Sequence, residues 1–306
     1  MAAIPDFRLP RRPEGLFAWS PYDAIPVAAG IAHPAFVIWV VAGFAGRPWW
    51  ANLICGGLFA YAAAWNINSV AHNFIHTPYF RWAPLNRAFS LIESLALLTP
   101  QGFYTWVHLR HHQGNSDRPG PDGATHDWLS IYRHGRNGAP EGVISYVLKG
   151  LFRDDVGGIY RALRAKRPAD AAFARWEAVA VAAFVLGLAV VDWKAVLFLV
   201  PFYYLGECGS QLNGYYEHFG GDPDRPIAWG VSTYAPLYNL VWFNNGHHAE
   251  HHFRPAVHWT RLPAFRRAIA AEQARAAVHI IGPAHTLGFL ARANRRKPAA
   301  APEAAR

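Results

Sequence analysis

The sequence predicts an all-α integral membrane protein, with four transmembrane helices in two hairpins and a helical cap on the cytoplasmic side. Charged residues make up only 16% of the chain, against roughly 25% in soluble domains. Aromatic residues reach 15%, and Trp and Tyr are typical of membrane interfaces. Mean hydropathy is only +0.02, so a minority of the chain is expected to cross the bilayer. This composition disfavours a soluble enzyme.

The four predicted spans are apolar runs close to the length that a bilayer requires, about 20 residues for a helix. They cover residues 25–46, 49–71, 175–191 and 193–216. Only the short turns 46–48 and 192–194 separate the two members of each pair. Each pair is therefore predicted to form a hairpin, with almost no chain on the far side of the membrane.

The distribution of basic residues predicts the orientation. Of the 29 Lys and Arg residues, only Arg47 and Lys194 lie in the two short turns. The positive-inside rule therefore places both termini and the large loops in the cytoplasm. The net charge of +9 is assigned to these loops, since no nucleic-acid-binding motif is visible. Arg far outnumbers Lys, which indicates a GC-rich bacterial gene and hence a bacterial inner membrane.

The two cysteines restrict the kinds of site that the chain can build. Cys55 and Cys208 both lie in apolar stretches and are expected to be buried hydrophobic residues. This excludes a disulfide framework, a zinc ribbon and a cysteine-ligated iron–sulfur cluster.

Histidine is abundant, with 16 residues, and most of them fall in groups. Residues i, i+3 and i+4 of a helix lie within an arc of about 100°, so each group presents its imidazoles to one side. Imidazole ligands suit Zn, Cu, Fe or Ni, and a single ion takes about four to six ligands. The number of histidines therefore predicts a dimetal centre at the cytoplasmic ends of the spans. The groups are His72 with His76; His108 with His111 and His112; His218; and His248 with His251 and His252.

These groups resemble the histidine boxes of the membrane fatty-acid desaturase/hydroxylase superfamily. The sequences HNFIH (72–76), HLRHH (108–112) and HAEHH (248–252) are similar to its HxxxH, HxxHH and HxxHH boxes, in the same order relative to the spans. The segment NGYYEHFG (213–220) is similar to the segment of membrane alkane hydroxylases that supplies one more histidine. The resemblance covers roughly residues 25–262.

The resemblance implies a non-haem diiron enzyme that uses O2 and two electrons to attack an unactivated C–H bond of a lipid chain. His247 falls outside the box spacing and is expected beside the ligands. Asn73 stands where many hydroxylases carry Glu, and Gly214 stands where some desaturases carry Asn, with Asn213 one position away. The implied iron ligands are His72, His76, His108, His111, His112, His218, His248, His251 and His252.

Several polar residues near the boxes are candidates to support the ligands or line a substrate groove. A ligating histidine passes its second ring N–H to an acceptor, and we expect Glu217 and one nearby aspartate to serve. Glu207, Gln211, Gly214 and His218 form a polar stripe on the fourth span, which predicts either a groove or proton route, or a hydrogen bond between helices. The carboxylates considered by proximity are Asp117, Asp122, Asp127, Glu217 and Glu250.

The expected substrate is a lipid or long-chain hydrocarbon, and the electrons must come from a separate donor of ferredoxin or cytochrome type. Arg261, Arg266 and Arg267 follow the third box and suggest a docking face for an acidic donor. The leading function is a lipid desaturase that introduces a double bond into an acyl chain. An alkyl-chain or carotenoid hydroxylase shares the ligand set and stays open, and a metal transporter or storage protein is a third hypothesis.

The predicted organisation is one membrane domain over residues 1–306. Residues 84–100 are expected to form an interfacial helix, 113–142 an irregular loop and 263–277 a basic amphipathic helix. The segments are a cytoplasmic N-terminus 1–24, the first hairpin 25–71, a cytoplasmic loop and cap 72–174, the second hairpin 175–218, a cytoplasmic cap 219–291 and a disordered tail 292–306.

Overall fold

The computed structural model describes residues 5–295 and is mostly helical. These residues divide into two compact bodies. The first body comprises 5–9, 107–150 and 211–295, and the second comprises 10–106 and 151–210. Of the tail predicted to be disordered, Arg292–Arg295 forms a 3-10 turn and the remainder lies outside the described residues.

The second body begins with helix α1 (Ala24–Ala42). A 3-10 turn precedes it, in which Ser20 and Asp23 cap each other's backbone, as in the capping box that starts many helices. Helix α2 (Trp49–Asn66) follows and runs through a π-helical stretch, Ile67–Ala71, into α3 (His72–His76). Wide π-turns inside helices are frequent at functional sites, and this one directly precedes the first histidine box.

Two further helices lead to the second box. Helix α4 (Ala83–Leu97) lies where an interfacial helix was expected and ends where Leu98 takes the left-handed conformation, φ 53°. The Ser94 hydroxyl accepts the backbone N–H of Gln101 at 2.9 Å, the first residue of helix α5 (Gln101–Gly114). The predicted irregular loop 113–142 is confirmed from residue 115 onward, since only turns connect α5 to the next helix.

The segment between the loop and the second apolar region is more helical than predicted. It contains α6 (Val143–Lys149) and α7 (Val156–Lys166). Helix α8 (Pro168–His218) then continues for 51 residues and is interrupted by non-helical backbone at Asp192. The Asp192 carboxylate accepts the N–H groups of Lys194 and Ala195, so it caps the second part of α8 as an N-cap residue does.

Three stretches of helix are long and apolar enough to cross a membrane: Pro21–Ala42, Trp49–His76 and Pro168–His218. The first two match the predicted first and second spans, although the second extends past residue 71 to His76. The third takes in both the predicted third and fourth spans and begins at Pro168, seven residues earlier than expected. These helices associate the chain with a membrane.

The core of the second body is built from α1, α2 and α8. Val37, Val40, Phe59 and Leu199 are among its buried members. Gly206 of α8 lets the backbone of α2 approach closely, because a Cβ at this position would lie 2.8 Å from the Ala60 carbonyl oxygen. Small residues at such contacts are typical of membrane helices, where close packing drives association.

The first body carries the remaining helices, α9 (Pro236–Val241), α10 (His248–Phe253) and α11 (Leu262–Arg275). Helix α11 corresponds to the predicted amphipathic helix 263–277 and buries Leu262, Phe265 and Ile269. Strands β1 (Ser232–Thr233) and β2 (Ile280–Ile281) pair in parallel, with Ser232 opposite Ile280. This short pairing fixes the chain on both sides of the third histidine box.

Candidate metal centre

Three helical segments supply the candidate metal-ligating histidines of the first body. The C-terminal half of α5 carries His108, His111 and His112, the last residue of α8 is His218, and α10 carries the third box. In a helix, residues three and four apart share a face. All of these histidines are buried except His112, which is partly buried. Burying so many imidazoles is costly unless their nitrogens find partners.

The first group consists of His108, His112 and His251. The Nε2 atom of His112 lies 3.0 Å from Nε2 of His108 and 3.0 Å from Nε2 of His251. Three ring nitrogens from two helices therefore converge on one point.

The second group consists of His111, His218, His248 and His252, each buried. Their ligand nitrogens all lie within 4.8 Å of one another, and Nε2 of His218 is 3.1 Å from Nε2 of His248. Each of the two groups can hold a metal ion.

The nitrogen spacing fits a metal. At a metal–nitrogen distance of about 2.1 Å, two ligands at a right angle are roughly 3 Å apart, which matches the three Nε2 separations above. His252 gives a second indication, since neither of its ring nitrogens has a hydrogen-bond partner among the described residues. Burial, reinforced by the surrounding histidines, holds the pKa of His252 well below its ordinary value. The ring is therefore neutral and available as a ligand.

Asp127 orients His111. Its Oδ2 atom lies 2.7 Å from His111 Nδ1 and also accepts the N–H of Ser116. Its Oδ1 atom accepts the N–H of Leu129. Burial opposes charge on both groups, but their attraction and hydrogen bond raise the pKa of His111 and lower that of Asp127. With Nδ1 bound to the carboxylate, Nε2 is directed to the metal group.

Glu217 lies beside His248, as Asp127 lies beside His111. Its Oε1 atom lies 3.7 Å from His248 Nδ1. The same oxygen accepts the side-chain amides of Asn213 at 2.7 Å and Asn245 at 2.6 Å. These two amides hold the carboxylate in place, and Asn213 therefore acts on Glu217 within this network.

A side chain of helix α9 contacts Asn213, and one of the C-terminal region contacts that side chain, so both support Glu217 indirectly. The Tyr238 hydroxyl donates to Asn213 Oδ1 at 2.9 Å and lies 3.4 Å from His285 Nδ1. His285 is fully buried, and its Nε2 lies 2.9 Å from the Val231 carbonyl oxygen. Burial lowers the pKa of His285 to about 3, so this ring is neutral at physiological pH.

Glu250 lies between the histidines of α10 and is fully buried. It accepts the hydroxyls of Ser232 and Tyr234, both at 2.7 Å, and lies 3.8 Å from His247 Nδ1. Burial raises the pKa of Glu250, but His247 and the two hydroxyls bring it below its ordinary value. His247 is thus placed against Glu250 and the ring of Tyr234, at a centroid distance of 5.1 Å.

The remaining predicted site residues are Asp117, Glu207, His72 and His76. Asp117 accepts the backbone N–H groups of His126 and Asp127, so it shapes the loop that presents Asp127. Glu207 belongs to the second body, where it interacts with Tyr203. His72 and His76 also belong to the second body, with ring centroids 5.4 Å apart on α3.

A family model for fatty acid desaturases matches residues 47–283. The chain belongs to the fatty acid desaturase family. The matched region contains all three histidine boxes and His218. Members of this family modify lipids by oxidation in membranes and depend on a metal, which agrees with the donor groups described above. A search of curated proteins finds no match for the chain.

Sequence reasoning about this desaturase-family chain missed several residues around the boxes. Asn245, two positions before His247, stands in the sequence NNGHH and could have been suspected from that proximity. Tyr238, Ser232 and Tyr234 carry no local signal, and His285 lies more than 30 residues after the third box. Only the fold brings these side chains to Glu217 and Glu250.

Proposed function

We propose that this protein is an O2-dependent lipid desaturase that introduces a double bond into an acyl chain at a non-haem diiron centre. The observation that carries the proposal is the convergence of imidazole nitrogens in two separate groups, with Nε2 separations of 3.0 and 3.1 Å. Nitrogen-only donor sets suit iron among the transition metals, and family membership favours lipid oxidation.

The proposed ligands extend beyond the two groups of the first body. We propose, from the spacing of box one and its resemblance to the family boxes, that His72 and His76 complete the ligand set. The full set is then His72, His76, His108, His111, His112, His218, His248, His251 and His252. Two iron ions held by these side chains would supply the O2 activation that C–H oxidation requires.

The roles of the surrounding residues follow from their contacts. Asp127 keeps the His111 Nδ1 proton on the side away from the ligand nitrogen. Glu217, held in place by two amides, lies 3.7 Å from His248 Nδ1 and is proposed to accept the proton of this nitrogen when the metal is bound. Buried carboxylates of this kind also balance the positive charge of bound metal ions.

The substrate is proposed to enter from the bilayer as an acyl chain. Its apolar length matches the membrane-associated helices, and the polar stripe of α8, including Glu207, lines its path. The four-span, two-hairpin arrangement is part of this proposal. A straight helix of 51 residues would measure about 76 Å, more than twice the roughly 30 Å hydrocarbon core, and the break at Asp192 divides it into two lengths that fit.

A separate protein of ferredoxin or cytochrome type is proposed to supply the two electrons. Arg261 and Arg267 are exposed on or beside α11, and Arg266 stacks on the ring of Tyr234 at 3.5 Å. A positively charged face attracts an acidic donor over long range, and salt screens this attraction. Turnover that is insensitive to salt with a matched donor would contradict this docking face.

The decisive experiment compares the lipids of bacteria expressing the wild type, His111→Ala and His126→Ala. His126 lies in an exposed turn outside both histidine groups, so its variant controls for expression and handling. We expect unsaturated products only with the wild type and the control, together with iron near two ions per chain in the purified proteins. Equal products from His111→Ala would contradict the proposal.

Mass spectrometry of the same lipids separates the two oxidations. A desaturase product has lost two hydrogen atoms, whereas a hydroxylase product has gained one oxygen atom. The similarity of residues 213–220 to alkane hydroxylases is the observation that favours hydroxylation as the second candidate function. Labile zinc without any oxidised product would instead support metal transport or storage.

A further inference from the structure

A further buried polar cluster lies in the second body, and none of its members belongs to either histidine group. It consists of His33 from α1, Asn66 from the end of α2 and Glu93 from α4. Asn66 and Glu93 have no exposed surface, and His33 is 4% exposed. Apolar helices surround these side chains, so each polar atom needs a partner to offset the loss of water.

Glu93 lacks the partners that a carboxylate requires. Among residues 5–295, neither of its oxygens makes a hydrogen bond of good geometry. The Asn66 side chain lies close enough to favour the charged form weakly, but no Lys or Arg of these residues pairs with Glu93. Its carboxyl group packs directly on Gly30, where a Cβ atom would lie only 2.1 Å from Oε1. Phe89 covers the same position. The absence of a side chain at residue 30 therefore makes room for an acid in a site that has no cation.

The nearby amide does not correct this imbalance. Asn66 Nδ2 lies 3.2 Å from His33 Nδ1, so this donor is directed to the imidazole. Asn66 Oδ1, like the two oxygens of Glu93, has no partner in the described part of the chain. The cluster thus has an excess of acceptors and too few donors. A proton on Glu93 supplies a donor and removes the buried charge.

A second glutamate of the same body shows the contrast. Glu177 is also fully buried, but Ser90 Oγ donates to its Oε1 at 2.6 Å and the Gly102 N–H donates to its Oε2 at 2.9 Å. Donors of this kind stabilise the charged form of a carboxyl group. Ser90 and Glu93 are one turn apart on α4, so two neighbouring buried carboxyl groups differ in the donors that contact them.

We propose that Glu93 is a proton-holding group, a neutral carboxylic acid at neutral pH, and that it donates protons during the oxidation at the histidine site. The second half of this statement rests on the proposed function. In desaturation the substrate loses two hydrogen atoms, O2 is reduced to two waters, and the donor protein supplies two electrons. Forming two waters therefore requires two further protons from outside the substrate. Glu93 delivers one proton at a time and takes up a new proton from the solvent.

The position of the cluster suits this role. Asn66 directly precedes the π-helical stretch Ile67–Ala71, which leads to His72 of box one. The side-chain amide of Gln101 reaches the Ala71 carbonyl at 3.5 Å, and Gln101 Oε1 has no partner among the described residues. Gln101 also donates its backbone N–H to Ser94, the residue after Glu93 on α4, so buried polar side chains lie both beside the cluster and at the start of the first box.

The electrostatics of the site agree with the geometry. Burial raises the pKa of Glu93 to about 8, and the Asn66 side chain offsets only part of this effect. The other titratable groups that face the cluster are His33 from α1 and Tyr79 from the loop before α4, with Asp23 acting on Tyr79 from the turn before α1. None of these brings a permanent positive charge to Glu93.

Infrared spectroscopy of the purified full-length protein at neutral pH tests the proton site without any assay of activity. We expect a carbonyl-stretch band of a protonated carboxylic acid that shifts in D2O and is lost in Glu93→Gln. The band should persist in the matched control Glu177→Gln. Asn66→Leu should move the band toward the frequency of an acid without a hydrogen bond, which provides a second readout if Glu93→Gln fails to fold. No band in the wild type, or an unchanged band in Glu93→Gln, would overturn the proposal.

Turnover measurements test the use of this proton. We expect kcat of Glu93→Gln to fall about 100-fold, the lower end of what a positioned proton donor contributes, with unchanged iron content and unchanged KM for the lipid. If Glu93→Gln loses the infrared band but keeps the kcat of the wild type, the role of Glu93 in turnover is refuted. If the wild type oxidises no lipid, the proposed function fails, but the infrared result still decides the proton site.

Discussion

The residues around each ligand decide how tightly a metal is held. His111 is the clearest case. Its Nδ1 atom lies 2.7 Å from the Asp127 carboxylate, and two backbone N–H groups donate to the same carboxylate and hold it in place. The sequence limited the candidate hydrogen-bond partners of the second-box histidines to a few aspartates in one loop. It could not separate Asp117 from Asp127, since that depends on how the loop folds back on α5.

Asp127→Asn tests this partnership. The amide keeps the size of the side chain but loses the charge that raises the pKa of His111. We expect iron affinity or turnover to fall about 10- to 100-fold, as for other residues that orient metal ligands. Iron retained after dialysis against a chelator is the measurement.

Asp122→Asn is the matched control for this variant. Asp122 lies in the same loop, and within residues 5–295 its carboxylate accepts the N–H of Ala124 and no histidine, so iron retention should equal that of the wild type. Equal losses of iron in both variants would indicate a general effect of the loop and would contradict the role of Asp127.

His285 predicts a pH dependence of stability. Burial lowers its pKa from 6.5 to about 3, so between these values the unfolded chain binds a proton that the folded chain excludes. Stability contributed by the neutral ring is complete above pH 6.5 and is lost as pH falls toward 3. In metal-free His285→Gln, the slope of unfolding free energy against pH in this window should be smaller by up to about 1.4 kcal/mol per unit. Denaturant titrations at several pH values measure it, and an unchanged slope would disprove the assignment.

Helices are held in the second body by close backbone approach as well as by apolar burial. The sequence predicted α1, α2 and the two parts of α8 from hydropathy, because long apolar runs have few alternatives in a bilayer. It did not predict which glycines form contacts, since Gly187 and Gly206 of α8 look alike in sequence. The structure separates them, because a Cβ at Gly187 meets nothing within 4 Å whereas one at Gly206 meets the backbone of α2.

Gly206→Ala is therefore expected to destabilise the protein by about 1–3 kcal/mol through overpacking. The added methyl group would lie 2.8 Å from the Ala60 carbonyl oxygen and 2.9 Å from Ala63 Cβ. Gly187→Ala should be neutral or slightly stabilising, because alanine favours helix formation over glycine. Apparent melting temperatures in detergent compare the two variants. A lower melting temperature for Gly187→Ala alone would reverse this interpretation.

The placement of the whole molecule in a membrane was inferred from charge and hydropathy together. The described structure provides helices of sufficient length and apolarity, and the break at Asp192 lies at the turn that the sequence indicated. The orientation depends on the basic residues of the loops, which the positive-inside rule assigns to the cytoplasm.

Cysteine labelling tests this topology. In a background with Cys55 and Cys208 replaced by alanine, Gly46→Cys and Lys194→Cys should react with an impermeant maleimide in intact bacterial cells with permeabilised outer membranes. Gly46 suits the test because a side chain there meets no atom within 4 Å. Asp122→Cys, in the loop predicted to be cytoplasmic, should react only after the inner membrane is opened. Labelling of residue 122 in closed cells would invert the predicted orientation.

The sequence by itself determined the membrane class, the helical character and the histidines proposed to bind metal, because hydropathy and i, i+3, i+4 spacing are local properties of the chain. The tertiary structure decided which histidines share a metal group and which carboxylate each of them faces. It also brought His285 toward Glu217 and left Glu93 without a donor. These relations join residues far apart in sequence, and only packing determines their distances, their burial and therefore their charge.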